Sequence, residues 1–369
     1  MAEKVSVCHV VNSVSDASIP GELATTQTLM EEFEHVGMLV WFDVEPFRHM
    51  ERVDTVSLNM PNKFSIDRSQ YRQIKSILSE YDIIHTHHPH SGFYAKLIAK
   101  RIGTPVFQTE HNDHSGYTRW GRIANGLTNL LADGIGCVSE SVRESFTAWE
   151  GVALRDGKIS IIYNGIDIDR LSSAKESTWS IQDVVDVDDN ATVVGSAGML
   201  TEQKGHDRLI EAIDRANAES EQPIELVISG DGNGRERLES QIEHAEYSDR
   251  LHLLGFLEER EQVYKMMEEI DIYVMASRWE GFCVAVLEAM ALGNPCVLSD
   301  ISVFREVYGD AALFYEADNP RSLIDKILHL IEQPSKYEMY EKRSKNLSKL
   351  YDIEDTATEY TAAYKSIVD

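Results

Sequence analysis

Residues 192–229 read TVVGSAGMLTEQKGHDRLIEAIDRANAESEQPIELVIS. Thr192–Ala197 and Glu225–Ser229 are short apolar runs, and His206–Ala218 is a helical stretch between them. Short buried strands joined through a helix of ten to fifteen residues predict a βαβ unit with parallel strands. The same alternation runs outward in both directions. Downstream it predicts a helix at Arg235–Glu246, strands at Leu251–Leu254 and Ile272–Met275, a helix at Val284–Leu292 and a strand at Pro295–Leu298. Upstream it predicts strands at Val5–Val11, Ile83–His85, Pro105–Thr109 and Gly134–Val138, with helices at Gly21–His35 and Gly92–Arg101. The fold class expected is α/β.

Between Ile166 and Ala191 the periodicity lapses into a polar, acidic stretch, DIDRLSSAKESTWSIQDVVDVDDNA. A domain junction is expected there, with one Rossmann-like domain over 1–170 and a second over 185–350. The tail Tyr337–Asp369 reads as two helices, and residues 351–369 are expected to pack back on the first domain. Doubly wound domains of this kind bind ligands at the carboxyl ends of their strands, here in an inter-domain cleft.

A chain of 369 residues is long enough for two cores. Hydrophobic residues are 43% and charged residues 26%, the composition of a globular protein. No apolar run approaches the length of a membrane span, and the alternating N-terminus reads as a first strand, not a signal peptide. The four cysteines, Cys8, Cys137, Cys283 and Cys296, show neither metal-ligand spacing nor a disulfide framework, so the expected compartment is the reducing cytoplasm. Asp and Glu number 62 against 35 Lys and Arg, a formal net charge of −27. An acidic surface repels nucleic acid and anionic lipid, which argues against nucleic acid as a partner. It suits a salt-rich cytoplasm, where a Debye length of about 3 Å at 1 M screens self-repulsion; acidic proteins of ordinary cells are the alternative.

Three loops carry candidate chemistry. Gly198–His206 (GMLTEQKGH) joins a strand to a helix, and Lys204 adds a point charge suited to phosphate. A plain solvated turn explains the same residues. Gly230–Glu239 (GDGNGRERLE) has the glycines of a dinucleotide fingerprint but stands outside the first βαβ unit, so a tight turn is the better reading. In Ser277–Val297 (SRWEGFCVAVLEAMALGNPCV), Glu280 precedes an apolar helix and Glu288 lies inside it. A buried carboxylate needs partners: a sugar diol can donate two hydrogen bonds to it, while a helix start can face phosphate. The alternative is a Glu288 that points to solvent. In the first half, IHTHHPH (Ile84–His90) and TEHNDH (Thr109–His114) end short strands. Single hydrogen-bonding histidines at the strand ends are expected there rather than a metal site. DID at Asp167–Asp169 reads as turn chemistry.

Together, DIIHTHHPHSGFYAKLIAKRIGTPVFQTEH, CVSES, IYNGID, GMLTEQKGHDRLIEAI, ISGDGNGRERLE and SRWEGFCVAVLEAMALGNPCVLSD resemble the retaining glycosyltransferases of family 4, also called glycosyl transferases group 1. The resemblance implies the GT-B fold and metal-independent transfer from a UDP-, GDP- or ADP-sugar with retention, with no cofactor required. It implies Glu280 at the donor sugar and Glu288 on the ribose as the E-x7-E pair, with Gly281 and the amides of Phe282 and Cys283 near sugar and diphosphate. Lys204 would neutralise the leaving diphosphate, His111 would approach the transferred sugar, and Gly21 and Gly198 would let backbone come close to substrate. The family commonly has Arg where Met199 stands, glycine or proline where Cys283 stands, and paired glycines where Pro20–Glu22 reads PGE. Arg278 or Arg235 is a candidate to replace the missing charge. The expected function is therefore sugar transfer to a glycan, lipid-linked or small-molecule acceptor, in cell-surface polysaccharide or glycoconjugate synthesis. A weakened, nucleotide-sugar-binding partner of another transferase is the alternative; a GT-B epimerase or phosphorylase fits less well. HSGYTRWGR (His114–Arg122) mixes aromatic and basic residues, an arrangement suited to peripheral contact with the cytoplasmic membrane face or to a solvated helix.

Overall fold

The structure is a computed structural model that describes residues 4–16, 18–61, 66–153, 158–172 and 177–368. The chain divides into two compact units, Met1–Gly165 with Ile353–Asp369, and Ile166–Asp352. Each is built on one parallel sheet.

In the first unit the strands are β1 (Val5–Val11), β2 (Phe33–Val40), β3 (Asp54–Ser57), β4 (Ile83–Thr86), β5 (Val106–Glu110), β6 (Gly134–Cys137) and β7 (Ile159–Ile161), in the order β3-β2-β1-β4-β5-β6-β7. Successive side chains of a strand face opposite sides, and β1 shows the result. Val7 and Val11 enter one buried cluster with Leu23, Phe107, Tyr360 and Tyr364. Cys8 and Val10 enter another with Ile74, Leu78, Ile84 and Ala99. Tyr360 and Tyr364 come from the C-terminal helix Ile353–Val368, which packs on the Ile19–Gln27 helix within this unit.

The second unit carries β8 (Thr192–Ala197), β9 (Ile224–Ser229), β10 (Leu251–Gly255), β11 (Ile272–Met275), β12 (Cys296–Ser299) and β13 (Leu313–Tyr315), ordered β10-β9-β8-β11-β12-β13. Its core joins Val194, Leu226, Ile228, Val274 and Val297 of the sheet to Leu209 and Ile213 of one helix and Leu323 and Ile327 of another. Both sheets have the doubly wound order in which connections leave in opposite directions from a central pair of strands.

Most elements lie where the periodicity places them, and the helix Val284–Leu292 coincides with its expected bounds. The expected helix Gly21–His35 does not. It ends at Gln27, and Phe33–Val40 is strand β2, paired with β1 along its length. Pairing and burial of Val36, Met38, Leu39 and Val40 override the helix preference of the Glu-rich run before them. Residues expected to form a junction belong to the second unit: Asp167 caps the helix Ile168–Leu171, Arg170 pairs with Glu261, and Ser180 and Ile181 bond to Glu269. Residues 173–176 of that stretch, and Asp369 of the tail, lie outside the described residues. Among the described residues, no helix is long and apolar enough to cross a membrane.

Candidate active site

In the second sheet the connections reverse between β8 and β11, so their carboxyl ends open the crevice where open α/β sheets bind ligands. Residues 198–205 leave β8 and residues 276–283 leave β11 at this point. Two glycines hold these loops close. A Cβ on Gly205 (φ +66°) would stand 2.0 Å from the Ala276 carbonyl oxygen, and one on Gly230 (φ +138°) 2.0 Å from that of Gly198. GDGNGRERLE is therefore a tight turn that braces the phosphate-type loop: Leu200 N–H donates to Asp231 O at 2.9 Å, and Gly234 N–H to Leu200 O at 2.7 Å.

The two loops meet at Glu280. Its carboxylate is buried and accepts from Lys204 Nζ (2.7 Å) and Ser277 Oγ (2.8 Å) on Oε1, and from Gln203 Nε2 (3.3 Å) on Oε2. Burial works against the Lys204 ammonium, but Cys283 and Glu280 beside it outweigh that and hold its pKa above the usual range. Lys204 Nζ also lies 3.8 Å from Cys283 Sγ. Burial pushes that thiol up to about 12, with Lys204 offsetting only part, so it stays protonated.

Cys283 has φ +80°, a left-handed conformation that suits glycine. The Tyr308 hydroxyl spans Phe282 O (3.0 Å) and Cys283 O (2.7 Å) and holds the turn in place. Beyond it begins the helix Val284–Leu292, whose first turn leaves N–H groups without intrahelical acceptors. Glu288, two turns of chain from Glu280, is 3% exposed and does not point to solvent. Its carboxylate is bound on both oxygens by Arg260 Nη2, and its Oε1 also faces the Tyr264 hydroxyl at 3.3 Å. Four lone-pair directions leave a carboxylate so held with room for further donors.

The two arginines that could replace the charge absent at position 199 both have acidic partners. Met199 is 65% exposed. Arg278 forms a two-point ion pair with Asp207 (3.0 and 2.8 Å) and donates to Glu202 O, while Arg235 pairs with Glu239 at 2.7 Å. Both guanidiniums are tied to acidic neighbours.

Residues 177–347 match the family model of glycosyl transferases group 1, and residues 25–170 match that of glycosyltransferase family 4. The chain belongs to the group 1/family 4 glycosyltransferases. It is 27% identical over 267 residues to an O-antigen biosynthesis glycosyltransferase, WclY, of Escherichia coli, covering 69% of this chain and 71% of that one. It is also 27% identical over 248 residues to the UDP-Gal:alpha-D-GlcNAc-diphosphoundecaprenol alpha-1,3-galactosyltransferase of E. coli, covering 63% of this chain and 61% of that one. In fold it is similar to Anabaena Alr3699/HepE, solved in complex with UDP and glucose. The TM-score is 0.81 at 17% identity, covering 98% of this chain and 100% of that one. The fold is GT-B, with two Rossmann-like units.

In the first unit of this glycosyltransferase, the strand ends carry imidazoles linked to one another. His9 on β1 stands opposite His85 on β4. His9 Nδ1 meets His87 Nε2 at 2.9 Å, His9 Nε2 meets Gln27 Oε1 at 2.8 Å, and His87 Nδ1 meets His111 Nε2 at 3.0 Å. His85 lies between Thr109 Oγ1 (2.7 Å) and the Tyr364 hydroxyl (2.6 Å). Desolvation lowers every one of these rings, His9 to about 4 and His111 to about 3, so all are neutral near pH 7. His9, His85 and His87 bring ring nitrogens within 4.8 Å of one another. Both nitrogens of each ring already have hydrogen-bond partners, which a metal ion would displace. The histidines do hydrogen-bond at the strand ends, but not as single residues: His9, His87 and His111 are linked ring to ring.

Gly21 sits in the first turn of the helix Ile19–Gln27, not in an open loop, with Ser18 Oγ 3.0 Å from where a Cβ would stand. Arg122 turns inward, its Nε 3.1 Å from His114 O, whereas Trp120 is 79% exposed. Sequence reasoning did not find Arg260 and Tyr264 behind Glu288, nor Gln27 and Tyr364 behind the histidines. Ser277 and Gln203, which also bond Glu280, lie within the SRWEG and GMLTEQKGH motifs, where a polar neighbour of the carboxylate was open to recognition.

Proposed function

We propose that the chain transfers a sugar from a nucleoside-diphosphate sugar to a glycan or lipid-linked acceptor in cell-surface polysaccharide assembly, with retention of anomeric configuration. The observation that carries this reading is the Lys204–Glu280 pair at the point of strand reversal, with the Val284–Leu292 helix start beside it. In this reading the diphosphate lies against Lys204 and the helix start, Glu280 and the 281–283 turn face the sugar, and Glu288 takes the ribose hydroxyls. The sugar's C1–O bond to phosphate breaks as a C1–O bond to the acceptor hydroxyl forms. The acceptor's proton passes to a phosphate oxygen, and no side chain acts as nucleophile. Lys204 supplies positive charge where negative charge develops, so the step is assigned no metal ion. His111 accepts from a hydroxyl of the transferred sugar.

The acceptor side of the reading draws on the E. coli relative that acts on a diphosphoundecaprenol-linked sugar. It also draws on the helix Arg119–Asn129, where Trp120 and Leu127 are exposed at positions seven residues apart. Such a stripe suits peripheral contact with the cytoplasmic membrane face. A second reading, a weakened family member that binds nucleotide sugars as partner of another transferase, is favoured by Met199 and the engaged Arg278 and Arg235. A panel of UDP-, GDP- and ADP-sugars tests both, with binding and turnover measured side by side. Binding with neither transfer nor donor hydrolysis rejects the first reading.

A further inference from the structure

The imidazole chain of the first unit has a direction. A hydrogen bond between two neutral ring nitrogens needs one proton, carried by one partner, and a neutral imidazole has only one to give. The Gln27 carboxamide is a member of two arms: its Nε2 lies 3.4 Å from the Tyr364 hydroxyl, and its Oε1 faces His9 Nε2. With the carboxamide oxygen toward His9, the His9 proton sits on Nε2, so His9 Nδ1 must accept from His87 Nε2. His87 Nδ1 then accepts from His111 Nε2. The other arm agrees: Tyr364 accepts from Gln27 and donates to His85 Nδ1, and His85 Nε2 donates to Thr109 Oγ1. Thr109 in turn donates to the Tyr360 hydroxyl at 3.1 Å.

We propose that Gln27, acting through His9 and His87, is a positioning residue that fixes His111 as its Nε2–H tautomer and so presents Nδ1 as a bare hydrogen-bond acceptor. The inference rests on the reading of His111 as a sugar contact for its consequence, but not for its geometry. His111 Nδ1 has no hydrogen-bond partner among the described residues, and His111 as a whole is only partly buried, which leaves Nδ1 as the end of the chain to which a ligand hydroxyl would donate. A turned carboxamide would reverse both arms at once and leave His111 Nδ1 as a donor. A hydroxyl approaching Nδ1 would then have to accept rather than donate. His88, with its centroid 6.4 Å from that of His111, is set independently: its Nδ1 accepts from Asn12 N–H, so its proton is on Nε2. The strand ends thus offer one acceptor nitrogen and one donor nitrogen on neighbouring rings.

The test is a long-range proton–nitrogen NMR experiment on the full-length protein with nitrogen-labelled histidine, with His111 assigned by comparison with His111→Asn. The expected pattern is a single Nε2–H tautomer in the wild-type protein and mixed tautomers in Gln27→Met. In the same variant kcat for sugar transfer or donor hydrolysis falls about two- to tenfold, the worth of one neutral hydrogen bond, while nucleoside-diphosphate affinity is unchanged. A wild-type His111 protonated on Nδ1, or mixed, overturns the inference even if no variant folds. An unaltered tautomer pattern in folded Gln27→Met overturns it as well. A single Nε2–H tautomer in a protein that turns over no nucleotide sugar upholds the chain and rejects the transferase reading alone.

Discussion

Lys204 and Glu280 stand 76 residues apart in sequence, yet the ammonium and carboxylate meet at 2.7 Å in a largely buried setting. Removing one member of such a pair strands the other. Lys204→Met is expected to cost about 3–5 kcal/mol of stability, whereas the double change Lys204→Met, Glu280→Gln recovers most of it. Activity separates the roles: both single variants and the double variant lose transfer by roughly a hundredfold or more, as when electrostatic stabilisation is removed from a transition state. Unfolding by denaturant and turnover on the same preparations decide this. A double variant that regains turnover would make the pair structural.

Glu288 gives a prediction about the nucleotide. If its carboxylate takes the ribose hydroxyls, a 2′-deoxy nucleotide forfeits a hydrogen bond to a charged group. It should bind about ten- to a hundredfold more weakly than the ribonucleotide. Glu288→Gln should lose most of that discrimination, as read by calorimetric titration. Equal affinities for the two nucleotides in the wild-type protein would place the ribose elsewhere.

Met199→Arg restores the charge common in the family at the mouth of the phosphate-type loop. With Arg278 and Arg235 paired to Asp207 and Glu239, the new guanidinium would join Lys204 in facing the phosphate. Turnover should rise by about ten- to a hundredfold, the worth of a charge-assisted hydrogen bond formed in the transition state. No gain would mean that the missing charge does not limit the reaction.

The histidine cluster predicts acid sensitivity. His9 is held near 4 in the fold and titrates near 6.5 when unfolded, so the unfolded chain binds more protons between these values. Stability is therefore present above pH 6.5 and lost as the pH falls toward 4, by roughly 3 kcal/mol for His9 alone. Urea unfolding across this window should show a shallower pH dependence in His9→Leu than in the wild-type protein; parallel curves would reject it.

Much of this arrangement could be read before any coordinates. The β8–β9 unit, the helix Val284–Leu292 and the loops bearing Lys204 and Glu280 follow from strong apolar periodicity and glycine placement, both local signals. What periodicity missed depends on distant chain. β2 forms because β1 lies beside it, and the edge strands β3, β7 and β13 are only three or four residues long. Arg260 reaches Glu288 across 28 residues and Tyr364 reaches His85 across 279, and no spacing rule connects such pairs. Cys283 was recognisable as unusual for its position, but only the backbone shows why: a side chain occupies a left-handed turn.

The division of the chain also governs how it can be cut. Ile166 and Asp352, the two ends of the second unit, lie side by side, with Ile166 N–H donating to Tyr351 O at 3.0 Å. A gene fragment spanning 166–352 would therefore encode a module whose termini meet, as in an insertion looped out of a host. The host has no such freedom. A stop codon after Asp352 would delete Tyr360 and Tyr364 from a core more than two hundred residues upstream. Gln27 would then lose its second partner and His85 its hydroxyl donor. To express the first unit alone, Gly165 must be spliced to Ile353 rather than left as a new carboxyl end.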